Sequence, residues 1–117
     1  MKIAVSSEGP TLTDLVDPRF GRAGGFIVFD TVSNAVSYID NGSSQAKARG
    51  AGIESAERMA EAGVSVVLSG YVGPKAFEAL MLADIKICQN LDGMTTGEAI
   101  KNFQDGKVPF ADASNKE

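Results

Sequence analysis

The stretch Val64-Ser65-Val66-Val67-Leu68-Ser69-Gly70-Tyr71-Val72-Gly73-Pro74 decides the fold of this chain. Its first six residues are mostly apolar and β-branched, which is typical of a buried strand. Two glycines then turn the chain, and the proline stands where first-turn prolines of helices occur. A buried strand that runs straight into a helix is the βα unit of a parallel sheet. The stretch therefore predicts an α/β fold.

Helices are predicted on both sides of this strand. Upstream, apolar residues recur at three- and four-residue spacing, and Gly63 follows as a C-terminal cap, which is the pattern of an amphipathic helix. A second helix is predicted after Pro74. The apolar positions are Ile53, Ala56, Met59 and Ala60 in the first helix and Ala76, Phe77, Leu80 and Met81 in the second.

A further strand and a third helix are predicted after residue 84. Residues 85–88 read as the strand, and Thr95 through Glu98 matches a capping box that begins the helix. Ala99, Ile100 and Phe103 form the apolar stripe of this helix, and Gly106 ends it. The sequence predicts one domain over residues 1–107, followed by a flexible polar tail over 108–117.

The first forty residues predict three more strands, at 2–6, 26–29 and 35–39. The second and third are separated by a short turn, so they should form an antiparallel hairpin. The segment 41–50 is polar and has no apolar face, which predicts a mobile loop. Together with the βα units downstream, this order predicts a mixed five-stranded sheet flanked by helices.

Composition excludes several classes of function. The chain has 117 residues, of which 44% are hydrophobic and 22% charged, which are ordinary globular values. Its formal net charge of −4 disfavours binding to the phosphates of a nucleic acid. No stretch is long and apolar enough to span a membrane, and the polar residues 6–8 come too early for a secretory signal. Cys88 is the single cysteine, so no internal disulfide can form, and a lone thiol fits a reducing compartment. The chain is therefore predicted to be cytoplasmic.

The chain contains no histidine, so catalytic arrangements of the Ser-His-Asp and Cys-His types are impossible. Asp14 and Asp17 lie close together in an irregular segment, but no other acid is aimed at them. Cys88 ends an apolar strand and is predicted to be a buried hydrophobic residue, not a metal ligand. The chain is therefore predicted not to be an enzyme, and a hydrolytic or phosphoryl-transfer activity is the weakest hypothesis.

Two irregular segments contain candidate binding residues for an anion. In the turn after strand 64–69, the helix N-terminus and Lys75 favour a negative charge, although Gly70 and Gly73 could simply make a tight turn. In the segment 17–25, Arg19 and Arg22 flank a Phe-Gly pair and could present forked donors. Alternatively, Arg19 pairs with one of the nearby aspartates as a structural clamp.

A third segment contains Lys47 and Arg49 next to Gly50-Ala51-Gly52. The glycines resemble the start of a dinucleotide fingerprint. That motif is rejected because it does not follow the first strand and because Ser55 stands where the third glycine belongs. The default interpretation of the two cations is a solvated loop, with contact to a ligand as the alternative.

The three segments and the order of elements resemble the dinitrogenase iron–molybdenum cofactor biosynthesis family, whose members are similar to NifX and to the C-terminal domain of NifB. The matching stretches are Met1-Lys2-Ile3-Ala4-Val5-Ser6, Asp17-Pro18-Arg19-Phe20-Gly21-Arg22-Ala23, Gly50-Ala51-Gly52-Ile53, Ser69-Gly70-Tyr71-Val72-Gly73-Pro74-Lys75-Ala76-Phe77 and Thr96-Gly97-Glu98-Ala99-Ile100. The resemblance implies a ribonuclease H-like three-layer α/β/α fold with strand order 3-2-1-4-5.

The resemblance also implies a function. Family members carry molybdenum- or iron-containing sulfide clusters, and a subgroup from anaerobes, the orange proteins, holds a molybdenum–copper sulfide cluster without covalent attachment. Some relatives use a histidine near the cluster, which this chain lacks. The nucleases of the wider fold need a carboxylate in the first strand, where this sequence has Ile3, Ala4 and Val5. Nuclease chemistry is therefore not carried over.

The expected function is that of a non-catalytic carrier for an anionic molybdenum-containing sulfide cluster of the Mo–Cu or Fe–Mo type. The residues expected to bind the cluster are Arg19, Phe20, Gly21, Arg22, Lys47, Arg49, Gly70, Tyr71, Gly73 and Lys75. The arginines, Lys75 and the glycine amides would be donors, the two aromatic side chains would form an apolar wall, and residues 41–50 would close over the site. The alternative is an interaction or regulatory module that holds a larger cytoplasmic protein with the same loops.

Overall fold

The computed structural model describes residues 1–45 and 49–116. In this part of the chain the elements follow one another as β1 (Lys2–Ser7), β2 (Gly25–Asp30), β3 (Val36–Asp40), α1 (Gly42–Gln45), α2 (Ala51–Glu61), β4 (Val64–Leu68), α3 (Pro74–Leu82), β5 (Lys86–Cys88) and α4 (Thr96–Gln104). None of the helices in these two ranges is long and apolar enough to cross a membrane.

The five strands form one sheet in the order β3-β2-β1-β4-β5. Strand β1 is central: Val5 lies opposite Ile27 of the antiparallel strand β2 and opposite Leu68 of the parallel strand β4. The β2–β3 pair is antiparallel and the β4–β5 pair is parallel. The predicted mixed sheet and its order 3-2-1-4-5 are confirmed, and the ribonuclease H-like label stays a prediction.

Helices cover both faces of the sheet, so the molecule has three layers. Alternate residues of β1 point to opposite faces: Ala4 packs with the cluster under α2 and α3, while Ile3 and Val5 pack with the cluster under α4. Each large apolar side chain that is fully buried contributes about 1.5–3 kcal/mol to folding. The two apolar clusters pack the helices against both faces of the sheet, and the candidate site is formed by the loops.

The N-terminus of α4 is closed by its own side chains. Thr95 Oγ1 accepts a hydrogen bond from the Glu98 amide at 3.2 Å, and Glu98 Oε1 accepts one from the Thr95 amide at 3.0 Å. These two bonds are the predicted capping box, which is confirmed. The hydrogen bond from the Thr95 backbone lowers the pKa of the Glu98 carboxyl.

The segment predicted as a mobile loop, 41–50, begins with a short helix, α1, and a buried anchor. Asn41 is fully buried, and its Nδ2 donates hydrogen bonds to the carbonyl oxygens of Gly21 and Ala23 and to Ser55 Oγ, at 3.1–3.2 Å. The polar composition of the segment gave no sign of this burial, which is possible because the Asn41 amide satisfies buried backbone groups. The mobility of the rest of the segment stays a prediction.

The elements differ from the prediction at two further places. Helix α2 begins at Ala51, two residues before the apolar stripe, since its first turn is built from small residues that pack against another loop. Residues 111–116, part of the predicted flexible tail, make hydrogen bonds to the body of the domain, beginning with the Ala111 amide and the Ile87 carbonyl at 2.7 Å. The flexibility of the tail stays a prediction.

Candidate functional site

Three loops that are far apart in sequence meet beyond the carboxyl end of β4 and border a cavity of about 410 Å³. They are the loop 19–22, the residues 50–53 at the start of α2, and the residues 71–76 that lead into α3. Small-molecule sites usually have volumes of roughly 300–1,000 Å³, so this cavity is large enough for a compact ligand. Its lining residues are Arg19, Phe20, Gly21, Arg22, Gly50, Ala51, Gly52, Ile53, Tyr71, Gly73, Pro74, Lys75, Ala76 and Lys116.

Every charged residue that the structure places in the lining is a cation: Arg19, Arg22, Lys75 and Lys116. None of the described lining residues is acidic, although the chain as a whole carries a net charge of −4. A cavity lined by one sign of charge focuses the field within it and attracts ions of the opposite sign. The cavity is therefore suited to an anion.

Two helices begin at the cavity. Gly50 precedes α2 and Gly73 precedes α3, and neither N-terminus has a side-chain cap, in contrast to α4. The first amides of a helix have no partner within the helix, and the helix dipole adds a partial positive charge there. Both helices consequently present their positive ends to the space that the cations line.

The loops come close because their contact residues are small. A Cβ atom placed on Gly21 would lie 2.8 Å from the Cα and amide nitrogen of Gly52. A Cβ on Gly52 would in turn lie 2.9 Å from the Cβ of Ala76. The Gly50-Ala51-Gly52 stretch thus allows the start of α2 to pack against the loop 19–22 and against α3, which is a structural requirement for the cavity.

Gly70, a predicted binding residue, does not line the cavity. A Cβ there would lie 2.7 Å from the Pro18 carbonyl oxygen. The glycine therefore permits the turn 70–72 to pack against the segment 17–25, the arginine segment. The Phe20 amide donates a hydrogen bond to the Tyr71 carbonyl at 3.0 Å, and the Tyr71 amide donates to the Pro18 carbonyl. The two segments are therefore held together as a short ladder.

The Asp17 carboxylate holds the backbone of the arginine segment in place. Asp17 is 3% exposed, and its carboxylate accepts hydrogen bonds from the amides of Arg19 and Gly24 at 3.0 and 3.2 Å. The same carboxylate contacts Arg19 Nε at 3.4 Å, which is the structural clamp considered as an alternative. The Arg19 side chain is nevertheless 52% exposed and lines the cavity, so the clamp orients the guanidinium without removing it from the site.

The other predicted side chains, two in the arginine segment and one in the turn 70–72, have different surroundings. Phe20 is buried, with its ring 5.3 Å from that of Phe26, so it belongs mainly to the core and only borders the cavity. Arg22 Nη1 donates to the Gln45 carbonyl of α1 at 3.2 Å. Tyr71 is 42% exposed and offers the larger aromatic surface.

Of the two predicted cations next to Gly50, the structure describes one. Arg49 is exposed and does not line the cavity, and Lys47 lies outside the described residues. Sequence reasoning missed seven lining residues: Gly50, Ala51, Gly52, Ile53, Pro74, Ala76 and Lys116. Ile53 and Ala76 were assigned to helix faces, and no local signal distinguishes Lys116 from other polar residues of the terminal segment.

The described residues offer no ordinary metal site. Within 1–45 and 49–116, no three His, Cys, Asp or Glu side chains come together in a way that could hold a metal ion. Cys88 is fully buried, and this burial raises the pKa of its thiol to about 11. A guest in the cavity would therefore be held by cations and N–H donors instead of thiolates.

The sequence model of the family described as "Dinitrogenase iron-molybdenum cofactor" matches residues 1–106. The chain belongs to this family. The family is of the cofactor-binding or carrier type, and membership supports such a role for the chain.

Solved structures of similar proteins support this membership. The apo form of the orange protein from Desulfovibrio gigas is 54% identical, with a TM-score of 0.96, and the match covers 98% of this chain and 96% of that one. A NifB-like protein of the DUF35 family from Thermotoga is 34% identical, with a TM-score of 0.82 and coverage of 93% and 91%. Among curated proteins, no sequence matches the chain.

Proposed function

We propose that the chain is a non-catalytic, cytoplasmic carrier that binds an anionic molybdenum-containing sulfide cluster in the cavity between its three loops. The proposal rests on the lining of the cavity, whose described charged residues are all cations. The uncapped N-termini of α2 and α3 add to this positive charge. A cavity with this lining, in a chain whose net charge is −4, is suited to hold an anion.

The chemistry of the site fits a metal–sulfide cluster. Such a cluster exposes sulfides and carries several negative charges, so it requires N–H donors and positive charge around it, together with some apolar wall. Arg19, Arg22 and Lys75 could supply the charge, and Tyr71 and Ile53 could supply the wall. The buried thiol of Cys88 cannot reach such a guest, so attachment would be non-covalent.

The similarity to the orange protein supports a Mo–Cu cluster over an Fe–Mo one. The match extends over nearly the whole of both chains. Since Arg19, Arg22 and Lys75 come from loops within the matched length, the same site would serve the same class of guest.

The test is an anaerobic titration of the purified apo-protein with tetrathiomolybdate and a cuprous salt. A carrier should develop visible absorption bands that saturate at a fixed metal-to-protein ratio, and the coloured species should elute with the protein in size-exclusion chromatography. The same reagents mixed without protein, or with unfolded protein, provide the control. A spectrum that equals the sum of its components would overturn the proposal.

An interaction module that uses the same loop face is the second candidate. It is favoured by the apolar side chains that stay exposed beside the cavity, with Ile53 at 40% and Tyr71 at 42%. Such a module should retain a larger cytoplasmic protein in a pull-down, and the double change Ile53→Ser and Tyr71→Ser should release it. Colour in the titration combined with no retained protein would decide in favour of the carrier.

A further inference from the structure

The turn between β4 and α3 is held from two sides. On one side, the loop 18–20 forms the short ladder with Tyr71 described above. On the other side lies Asn115, whose Oδ1 accepts a hydrogen bond from the Val72 amide at 3.1 Å and whose Nδ2 donates to the Gly70 carbonyl at 2.8 Å. The Asn115 side chain thus makes the two backbone hydrogen bonds that a neighbouring strand would make with residues 70–72.

Further contacts fix Asn115 itself. The Asn115 amide donates to Gln89 Oε1 at 3.1 Å, while Gln89 Nε2 donates back to the Ala113 carbonyl at 2.9 Å. Asn115 Nδ2 also contacts Asn90 Oδ1 at 3.0 Å, and Ser114 Oγ donates to the Val72 carbonyl. The segment 111–116 is consequently attached to β5, to the residues that follow it and to the turn.

The position of this segment brings a cation to the cavity. Lys116 follows Asn115 directly and lines the same space as Arg19 and Lys75. The family match ends at residue 106, so the segment that supplies Lys116 lies beyond the part of the chain that the family defines. The lining thus combines three family loops with one residue from outside the match.

We propose that residues 111–116 form a clasp, in which Asn115 positions the turn 70–72 and Lys116 adds a cation to the anion site. Val72 is fully buried, so its amide would lose its partner if Asn115 were removed, and an unpaired buried amide is unfavourable. The role of Lys116 rests on the proposed carrier function. The role of Asn115 is a property of the apo-protein.

The positioning role is tested without any ligand, by amide hydrogen exchange in the full chain. Asn115→Ala should raise the exchange rate of the Val72 amide by about tenfold, because the bond to Oδ1 is lost. Asn102→Ala, an amide side chain on α4 away from the turn, should leave that rate unchanged. Equal protection of Val72 in the wild type and in Asn115→Ala would overturn the clasp.

The role of Lys116 is tested by the tetrathiomolybdate and copper titration at low ionic strength. Lys116→Gln should weaken binding about three- to tenfold, through the loss of one nearby charge. The matched control is Lys107→Gln, which removes the same charge from an exposed residue that does not line the cavity. Equal affinities of the two variants would overturn the role of Lys116.

The two tests separate the possible failures. If the wild type forms no complex, the carrier function fails and the role of Lys116 fails with it, while the exchange of the Val72 amide still decides the clasp. If the wild type binds and only Lys116→Gln behaves like its control, the carrier function stands and the cation assignment is wrong.

Discussion

At the scale of single residues, the site separates side chains that shape it from side chains that remain available to a guest. Asp17 and Asn41 are buried and use their polar atoms to hold backbone groups of the loops. Arg19, Lys75 and Tyr71 are exposed at the cavity. The Asp17 carboxylate also contacts Arg19 Nε at 3.4 Å, yet the Arg19 side chain stays 52% exposed, so its guanidinium can still contact a guest.

Removing one cation from the cavity should weaken cluster binding. Arg19→Gln and Lys75→Gln are each expected to raise the dissociation constant for the tetrathiomolybdate–copper complex by about three- to tenfold, with a smaller effect at high salt. Absorbance titrations at two ionic strengths measure both effects. Lys86→Gln, which removes an exposed charge on β5, is the control. Losses as large in this control would show that only net charge matters.

The lone cysteine should be unreactive and should not bind the cluster. Burial raises the pKa of Cys88 to about 11, from an ordinary value of 9.0, so the thiol is protonated near neutral pH. Labelling with iodoacetamide at pH 8 should be slow in the native protein and fast after unfolding. Cys88→Ala should leave the cluster affinity unchanged, and a loss of binding would show that the thiol takes part.

The same shift predicts how stability depends on pH. A raised folded-state pKa contributes stability that is fully present below pH 9 and is lost as the pH rises through about 11. The free energy of unfolding should therefore fall by about 2 kcal/mol more in the wild type than in Cys88→Ala over this range. Urea unfolding at pH 8 and pH 11 measures this difference. Parallel pH profiles would contradict the assignment.

At the scale of elements, the site depends on how closely three loops approach one another. The start of α2 lies against the arginine segment at Gly21 and against α3 at Gly52, where no Cβ can be accommodated without movement. The turn before α3 lies against Pro18 at Gly70. The cavity is thus produced by backbone contacts between the loops, and the charged side chains lie in its lining.

A methyl group at this contact should separate the loops. Gly21→Ala places a Cβ 2.8 Å from the Gly52 backbone, and such overpacking typically costs about 1–3 kcal/mol of stability. The control is Gly73→Ala, because a Cβ there meets nothing within 4 Å and the residue has a φ of −66°. Its stability should change by less than about 0.5 kcal/mol. Urea unfolding compares the two, and equal stabilities would contradict the close packing.

At the scale of the whole molecule, an acidic protein contains a cavity whose described charged residues are all cations. The net charge of −4 discourages association with other polyanions, while the cavity favours one compact anion. Because the loops of the site meet only in the folded state, a guest should bind the native chain and not the unfolded one. Binding and folding are therefore linked.

This linkage predicts that the cluster stabilises the fold. At free ligand about 100-fold above the dissociation constant, the native state should gain about 2.7 kcal/mol. The melting temperature should therefore rise when tetrathiomolybdate and copper are added to the apo-protein without oxygen, as measured by calorimetry. The double variant Arg19→Gln and Lys75→Gln should show a smaller rise at the same concentrations. An unchanged melting temperature in the wild type would contradict binding to the native state.

The local pattern of the sequence determined most of the secondary structure. The apolar run at 64–69, the stripes of the three long helices and the capping box at 95–98 all identify their elements, since periodicity and cap chemistry act over a few residues. The order of those elements was sufficient for a mixed five-stranded sheet, because parallel crossovers and a hairpin allow few arrangements. The resemblance to a known family then supplied the strand order.

The composition of the site was decided only by tertiary structure. Arg19, Arg22 and Lys75 were recognisable as candidates, yet nothing local separates Gly70, which packs on Pro18, from Gly73, which borders the cavity. Lys116 looked like part of a polar tail. Which residues share a cavity depends on contacts between loops that are distant along the chain, and such contacts leave no periodic signal in the sequence.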